Sequence, residues 1–256
     1  MSKQNPHDSI TKETLHKQEK IVNMFDEIAP SYDKANRMMS LGVDVSWRVS
    51  ACKKAFEALG KEHIECVLDV ACGTGDMLWH WQNEANKAQK HIAHLRGIDP
   101  SSGMLEVAHQ KLAALLEEGR LTLQEGEAKA LDIQSQSVDI LSIAYGLRNV
   151  VALEEALDEF VRVLKPGGVI VILEFMNNKK RGVFSSLMRF YTSKILPLVG
   201  GLVSKNYAAY KYLPDSIQNF VSSDELAQKL SQRGVKSYFV KSYSANISTL
   251  YVGVKL

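Results

Sequence analysis

Apolar and polar positions along this chain follow two spacings. Ile21, Met24, Phe25 and Ile28 recur three or four apart, which puts them on one face of a helix, and Pro30 ends that helix. The polar residues 1–20 before them read as a frayed or helical lead-in. A second helix is expected from about Val45 to Leu59, with Gly60 as its C-cap. From Cys66 onward short apolar runs alternate with helical patterns. The runs are Cys66–Val70, His94–Ile98 (closed by Asp99), Leu121–Gln124, Val138–Ala144 and Val169–Phe175. The helices between them are Asp76–Lys87, Met104–Leu116, with Leu105, Ala108, Leu112 and Leu115 on one face, and Leu153–Leu164. Lys165-Pro166-Gly167-Gly168 reads as a turn before the fifth strand. That strand is apolar throughout, as expected where helices cover both faces of a sheet. The alternation predicts an α/β protein, doubly wound around a mostly parallel sheet with right-handed crossovers.

The pattern changes at Asn177. Residues 177–219 show no strand, are rich in aromatics (Phe184, Phe190, Tyr191, Tyr207, Tyr210, Tyr212) and carry Lys179-Lys180-Arg181. They predict a helical insertion over the C-terminal edge of the strands. The basic triplet reads as a solvated face, with weak contact to anionic lipid as the alternative. Ser223 is expected to cap a helix that ends at Gln232. Ser237–Tyr243 and Ser248–Lys255 are expected to form a hairpin about Ala245-Asn246, which puts one antiparallel strand in the sheet.

Composition acts by exclusion. A net charge of +2 gives no support for a nucleic-acid footprint, so no nucleic-acid partner is expected. The three cysteines, Cys52, Cys66 and Cys72, have no Cys-x-x-Cys spacing. The histidines His63, His91, His94 and His109 show no ligand spacing either, so no metal site is expected. Sparse, odd cysteines fit a reducing cytosol. The N-terminus has no apolar signal core, and Ile195–Val203, interrupted by Pro197 and two glycines, falls short of the roughly 20 residues that span a bilayer.

Candidate chemistry gathers at strand ends. Val67 to Asp76 reads as strand, tight turn and helix start, and Gly73 and Gly75 let the backbone turn and approach a ligand. A dinucleotide fingerprint wants a third glycine where Leu78 stands. Asp69 and Thr74 inside the run make it resemble motif I of S-adenosylmethionine (SAM) methyltransferases instead. Asp99 closes the next strand, where a carboxylate accepts both hydroxyls of an adenosine ribose or else caps the following helix. Glu127-Ala128, after the third strand, falls where an adenine-contacting loop would lie, or is a solvated loop. Gly146-Leu147-Arg148-Asn149, after the fourth strand, would put a guanidinium fork and an amide beside a substrate oxygen; an Arg that only pairs structurally is the alternative.

Together these segments resemble the ubiquinone/menaquinone biosynthesis C-methyltransferases. The resemblance runs from about residue 20 to the C-terminus. Its carriers are Val67–Asp76, Gly97-Ile98-Asp99, Ala144 to Val150, and Val163 through Phe175. The N-terminal Met24-Phe25-Asp26-x-Ile28-Ala29-Pro30-x-Tyr32-Asp33 with Asn36, Leu41-Gly42 and Trp47-Arg48, and the distal Tyr212-Leu213-x-x-Ser216-Ile217, belong to it too. The glycine loop and Lys-Pro-Gly-Gly are shared by class I methyltransferases broadly, whereas Gly-Leu-Arg-Asn and Tyr-Asp-x-x-Asn are more specific. Ala144, Glu127 and Val221 depart from residues common in that family.

The resemblance implies the class I SAM-methyltransferase fold: seven strands, one antiparallel, in a single domain over residues 1–256. Residues 1–60 would supply helices of a substrate cap, and 177–219 a helical lid. It implies SAM as cofactor and C-methylation of a polyprenylated quinol, demethylmenaquinol or the equivalent ubiquinone precursor. Asp69, Gly73, Thr74, Gly75, Asp99, Glu127 and Ala128 would bind the cofactor; Arg148, Asn149 and Tyr32 would face the ring. The enzyme would be cytoplasmic, with peripheral contact at the inner face of the membrane and a homodimer both left open. The alternatives are a SAM methyltransferase of another small phenolic or lipid substrate, and a non-catalytic SAM-fold subunit of a quinone-biosynthesis assembly.

Overall fold

The computed structural model describes residues 6–177, 207–244 and 248–256. The seven strands are β1 (His63–Val70), β2 (His91–Asp99), β3 (Leu121–Glu125), β4 (Val138–Ala144), β5 (Leu164–Phe175), β6 (Val235–Tyr243) and β7 (Ser248–Lys255). They form one sheet in the order β3-β2-β1-β4-β5-β7-β6. Only β7 runs against its neighbours, pairing antiparallel with both β5 and β6. The predicted doubly wound sheet with one antiparallel strand is therefore present. The chain builds outward from β1 through β2 to β3, then returns to add β4 on the other side of β1. That reversal opens a crevice beyond the carboxyl ends of β1 and β4.

The central strands are apolar on consecutive residues because both faces are covered. On one face Val67, Ile140, Val171 and Val252 pack under α3 (Val43–Leu59) and α4 (Asp76–Lys87), with Phe56 and Trp81 in edge contact at 5.5 Å. On the other, Leu68, Leu141, Ile170 and Ile172 pack under α7 (Leu153–Val163) and, further along the chain, α9 (Ser223–Ser231), through Phe160, Leu226 and Leu230. A smaller cluster joins α1 (Pro6–Ile28), a short turn of 3-10 helix at Ala29–Ser31, and α2 (Tyr32–Ser40) to Met104 on α5 (Ser102–Lys111). This contact brings the N-terminal helices over the crevice.

Several boundaries differ from the sequence expectation, each for a local reason. The helix expected over Met104–Leu116 is two, α5 and α6 (Ala113–Glu117). They part at Leu112, whose side chain packs against Gly75 in the space that a Cβ there would need. The cap of α9 is Ser222 rather than Ser223: its hydroxyl accepts the Glu225 N–H at 3.3 Å, while the Glu225 carboxylate accepts the Ser222 N–H at 2.7 Å. Lys165 to Gly168 is a bulge inside β5, with Leu164 already paired to Val138, not a turn ahead of the strand. Residues 178–206, with Lys179-Lys180-Arg181 and most of the expected aromatic insertion, lie outside the described residues, as do residues 245–247 at the expected hairpin turn. Tyr207 to Gln218 forms α8.

Asp69 lies beneath the glycine turn. It sits in β1 with 1% of its surface exposed, below the crevice instead of at its wall. Its carboxylate accepts the Ser142 hydroxyl at 2.6 Å, and that hydroxyl accepts the Trp81 indole N–H at 2.9 Å. Burial pushes the Asp69 carboxyl up to about 7. The residue ties β1, β4 and α4 together beneath the glycine turn. Ser142→Ala orphans both a buried indole N–H and a buried carboxylate, and is expected to lower stability by about 1–3 kcal/mol in urea denaturation; an unchanged midpoint and slope would refute this link.

Candidate active site

Two loops at the ends of adjacent strands make the floor of the crevice. After β1, Ala71 takes a left-handed conformation (φ 50°), and Gly73 and Gly75 follow at φ 55° and 76° before α4 begins. Gly75 is needed twice over, since a Cβ there would also sit 2.6 Å from Leu112 Cδ1. After β4, Tyr145 is left-handed too (φ 62°), and its N–H bonds to the Leu173 carbonyl at 2.7 Å. Gly146 comes next, and a Cβ on it would lie 2.5 Å from Ala71 Cβ. Non-glycine residues held at positive φ are uncommon and gather at functional sites. Here they turn both loops away from the sheet at the switch point.

The cleft above this floor contains about 910 Å³ of empty space, its open mouth included. Gly73, Asp99, Ala128 and Asn149 form the sheet side; Ile21, Phe25 and Tyr32 close it from α1 and α2. Asp99 is buried, and burial pushes its carboxyl up to about 6. One oxygen accepts the Gly73 N–H at 2.7 Å, the other the Ser101 N–H at 2.9 Å. Each oxygen keeps a further lone pair, and the carboxylate lines the cleft. Asn149 is likewise buried and lines the cleft, and its Oδ1 has no hydrogen-bond partner. A buried carboxylate with lone pairs to spare and apolar walls fit an adenosyl cofactor. Glu127 is paired with Lys129 at 2.6 Å at the half-exposed rim, while Ala128 is buried in the wall.

Of the residues singled out from the sequence, Tyr32, Gly73, Asp99, Glu127, Ala128 and Asn149 thus meet around one cleft. Thr74, Gly75 and Arg148 lie behind its surface. The Thr74 hydroxyl donates to Asp33 Oδ1 at 2.6 Å and accepts from Lys111 Nζ at 3.1 Å. Arg148 was expected to turn its fork to the substrate. Instead its Nη1 donates to Glu174 Oε1 at 2.7 Å and to the Tyr145 carbonyl at 2.6 Å, and its backbone N–H donates to Glu174 Oε2 at 3.1 Å. Glu174 is fully buried and also accepts the Phe175 N–H at 2.7 Å. The pair fixes the loop that carries Tyr145 and Asn149. The structural alternative for Arg148 is therefore the observed geometry.

Two residues escaped sequence reasoning. Glu174 looked like the end of an apolar strand, and a lone acid in such a run was the available signal. Arg48 is buried in α3, donates from Nη1 to Asp44 at 2.8 Å, and lies 3.3 Å through Nε from Asp76 Oδ2. Its guanidinium sits 5.2 Å over the Tyr145 ring; Tyr145 meets Phe175 at 4.6 Å; Arg148 sits 5.3 Å over Phe175. The result is a ladder of cation, two rings and cation, of which Tyr145 lines the cleft. Burial raises the Tyr32 phenol above its ordinary pKa, against the opposing pull of Asn36, Arg148 and Arg48, so it stays protonated at neutral pH.

Fold and cleft together define a class I SAM-dependent methyltransferase. Solved structures of SAM-dependent methyltransferases share the fold: one from Aquifex aeolicus has a TM-score of 0.55 at 16% identity, covering 80% of this chain and 89% of its own. One from Thermotoga maritima has a TM-score of 0.57 at 18% identity, covering 92% and 100%. Within that class the chain belongs to the ubiE/COQ5 methyltransferase family, which matches residues 13–255. A Campylobacter jejuni relative named ubiquinone/menaquinone biosynthesis C-methyltransferase UbiE is 46% identical over 94% of this chain and 100% of its own. A Geotalea daltonii relative of the same name is 41% identical, over 93% and 97%.

If the ionised Asp99 is the form that accepts ribose hydroxyls, SAM affinity falls as pH drops through about 6. Below that pH the carboxyl carries a proton and one acceptor site is lost. Calorimetry should find binding about tenfold weaker at pH 5 than at pH 8, with a weak, pH-independent Asp99→Asn variant. A wild-type profile flat across this range would contradict the assignment.

Proposed function

We propose that this chain transfers a methyl group from SAM to a ring carbon of a polyprenylated quinol, converting demethylmenaquinol to menaquinol, the equivalent ubiquinone precursor, or both. The observation that carries the proposal is the pairing in one cleft of a nucleoside side, Asp99 and Ala128, with an apolar side, Ile21 and Phe25, that bears the Tyr32 phenol. The full-length likeness to relatives named for quinone biosynthesis supports the same substrate.

SAM supplies a methyl group already activated on a sulfonium, so the protein needs no covalent nucleophile. Its task is to align a ring carbon and to favour negative charge on the neighbouring ring oxygen. The new carbon–carbon bond would form as the methyl–sulfur bond breaks, leaving S-adenosylhomocysteine, and the proton displaced from that ring carbon would pass to water. Asn149, in the wall beside it, orients the ring oxygen. Tyr32, protonated at neutral pH, donates to the same oxygen as charge develops. Arg148 and Arg48 stand behind the wall and add positive potential without touching the ring. Arg148 acts as a positioning residue through Glu174 and the Tyr145 carbonyl.

The acceptor's tail would keep it in a bilayer, so we place the enzyme in the cytoplasm in peripheral contact with the inner face of the membrane. Among the described residues no helix is long and apolar enough to cross one. A homodimer is compatible with this chemistry.

Incubation with methyl-labelled SAM and a reduced short-chain demethylmenaquinol should place label on the ring; SAM binding without transfer would move the substrate to another phenol or lipid. In the same assay Arg148→Ala should lower kcat about a hundredfold, the scale on which misplacing a reacting group acts, with SAM affinity within a few-fold of wild type. Equal losses in both would exclude the positioning role.

A further inference from the structure

Asp26 and Asp33 flank Phe25 and Tyr32 in sequence, yet neither carboxylate lines the cleft. Each crosses from the N-terminal helices to the cofactor side. Asp33 Oδ1 accepts the Thr74 hydroxyl at 2.6 Å, and its other oxygen pairs with Lys111. Asp26 reaches the turn that carries Asp99. Its Oδ1 accepts the Ser101 hydroxyl at 2.6 Å and the Gly103 N–H at 2.9 Å. The Ser101 N–H donates in turn to Asp99 Oδ1, and the Ser101 hydroxyl caps α5 by accepting the Met104 N–H at 3.1 Å. Three residues, Asp26, Ser101 and Asp99, thus run in one hydrogen-bonded line from α1 to the nucleoside side.

A second observation marks the same point. A Cβ on Gly103 would lie 3.1 Å from Asp26 Oδ1, 3.2 Å from its Cα and 3.3 Å from its carbonyl oxygen. Two of those atoms are backbone, so a side chain at 103 requires α1 to give by a few tenths of an ångström against α5. The same stretch of α1 supplies Ile21, Val22 and Phe25 to the cleft.

We infer that Asp26 is a positioning residue that docks α1 on the Asp99–Ser101 turn, so that the acceptor wall of the cleft is set by the cofactor side. Ring alignment then depends on a contact that touches neither ring nor cofactor. The inference rests on the proposed quinol reaction and on the assignment of Asp99 to the ribose. Electrostatics gives an independent handle on the line. The groups facing Asp99 are Asp26 from α1, Asp69 from β1, the Cys72 thiol, and the N–H groups of Gly73 and Ser101. The Asp26 charge raises the Asp99 pKa beyond what burial does, against the two N–H groups.

The test uses the full chain with Asp26→Ala, Asp26→Asn and Gly103→Ala. It reads SAM affinity at pH 8, kcat and KM for a short-chain demethylmenaquinol, and the pH midpoint of SAM binding. Asp26→Ala and Gly103→Ala should lower kcat/KM for the quinol about tenfold or more, with SAM affinity at pH 8 within about threefold. Asp26→Asn keeps an acceptor oxygen, so it should recover most of the kcat/KM while moving the pH midpoint of SAM binding below the wild-type value. Wild-type kcat/KM in both Asp26→Ala and Gly103→Ala overturns the inference. So does a loss in Asp26→Ala shared equally between SAM affinity and quinol turnover, which is the mark of a general stabilising contact. Should one of those variants fail to fold, wild-type kcat/KM in the other overturns it. A wild-type enzyme that methylates the quinol but shows no midpoint near 6 removes the ribose assignment and leaves the kcat/KM comparison to decide. A wild-type enzyme that binds SAM and leaves the quinol unmethylated removes the substrate.

Discussion

Strands β1 and β4 lie side by side but send their following helices to opposite faces of the sheet, and the loops between must leave in opposite directions from nearly the same place. They touch at Ala71 and Gly146, with no room for a Cβ on the latter. That approach fixes the floor of the cleft and forces the left-handed turns at Ala71 and Tyr145. Strain of this kind costs on the order of 1–3 kcal/mol per residue and persists only where surrounding contacts over-determine it. Here the Tyr145 N–H bonds to β5 and the Tyr145 carbonyl to Arg148, which Glu174 holds in turn.

Charge is arranged around this floor in layers. The deepest carboxylates, Asp69 and Glu174, serve the scaffold: one ties β1 to β4 through Ser142, the other clamps the loop after β4. Removing one partner of a buried pair such as Arg148–Glu174 leaves an uncompensated charge, so the clamp is far more costly to break than it is stabilising to have. Asp99 turns its carboxylate into the cleft, with Glu127 at the rim and Asn149 in the wall. The N-terminal helices close the other side through Arg37, Arg48, Asp44 and Asp76, which link α2, α3 and the start of α4.

Much of this was legible in the sequence. Both faces of β5 are covered, so its apolar run showed through, and every strand of the sheet was placed within a few residues. The glycine turn and Asp99 were legible because their backbone demands are local. What escaped was non-local. Nothing near Leu112 in sequence says that it must pack on Gly75 and split a helix. Asp69, Thr74 and Arg148 stand at positions that face a ligand by motif, yet their partners, Ser142, Asp33 and Glu174, are 26 to 73 residues away. A motif fixes where a residue lies along the chain, and the side chain then follows the nearest buried partner.

The most direct test of the whole account is a crystal structure with S-adenosylhomocysteine bound. The account predicts the ribose hydroxyls on the Asp99 carboxylate, the base against Ala128, and Arg148 still paired with Glu174. A nucleoside bound away from Asp99, or an Arg148 swung off Glu174 onto the ligand, would contradict it.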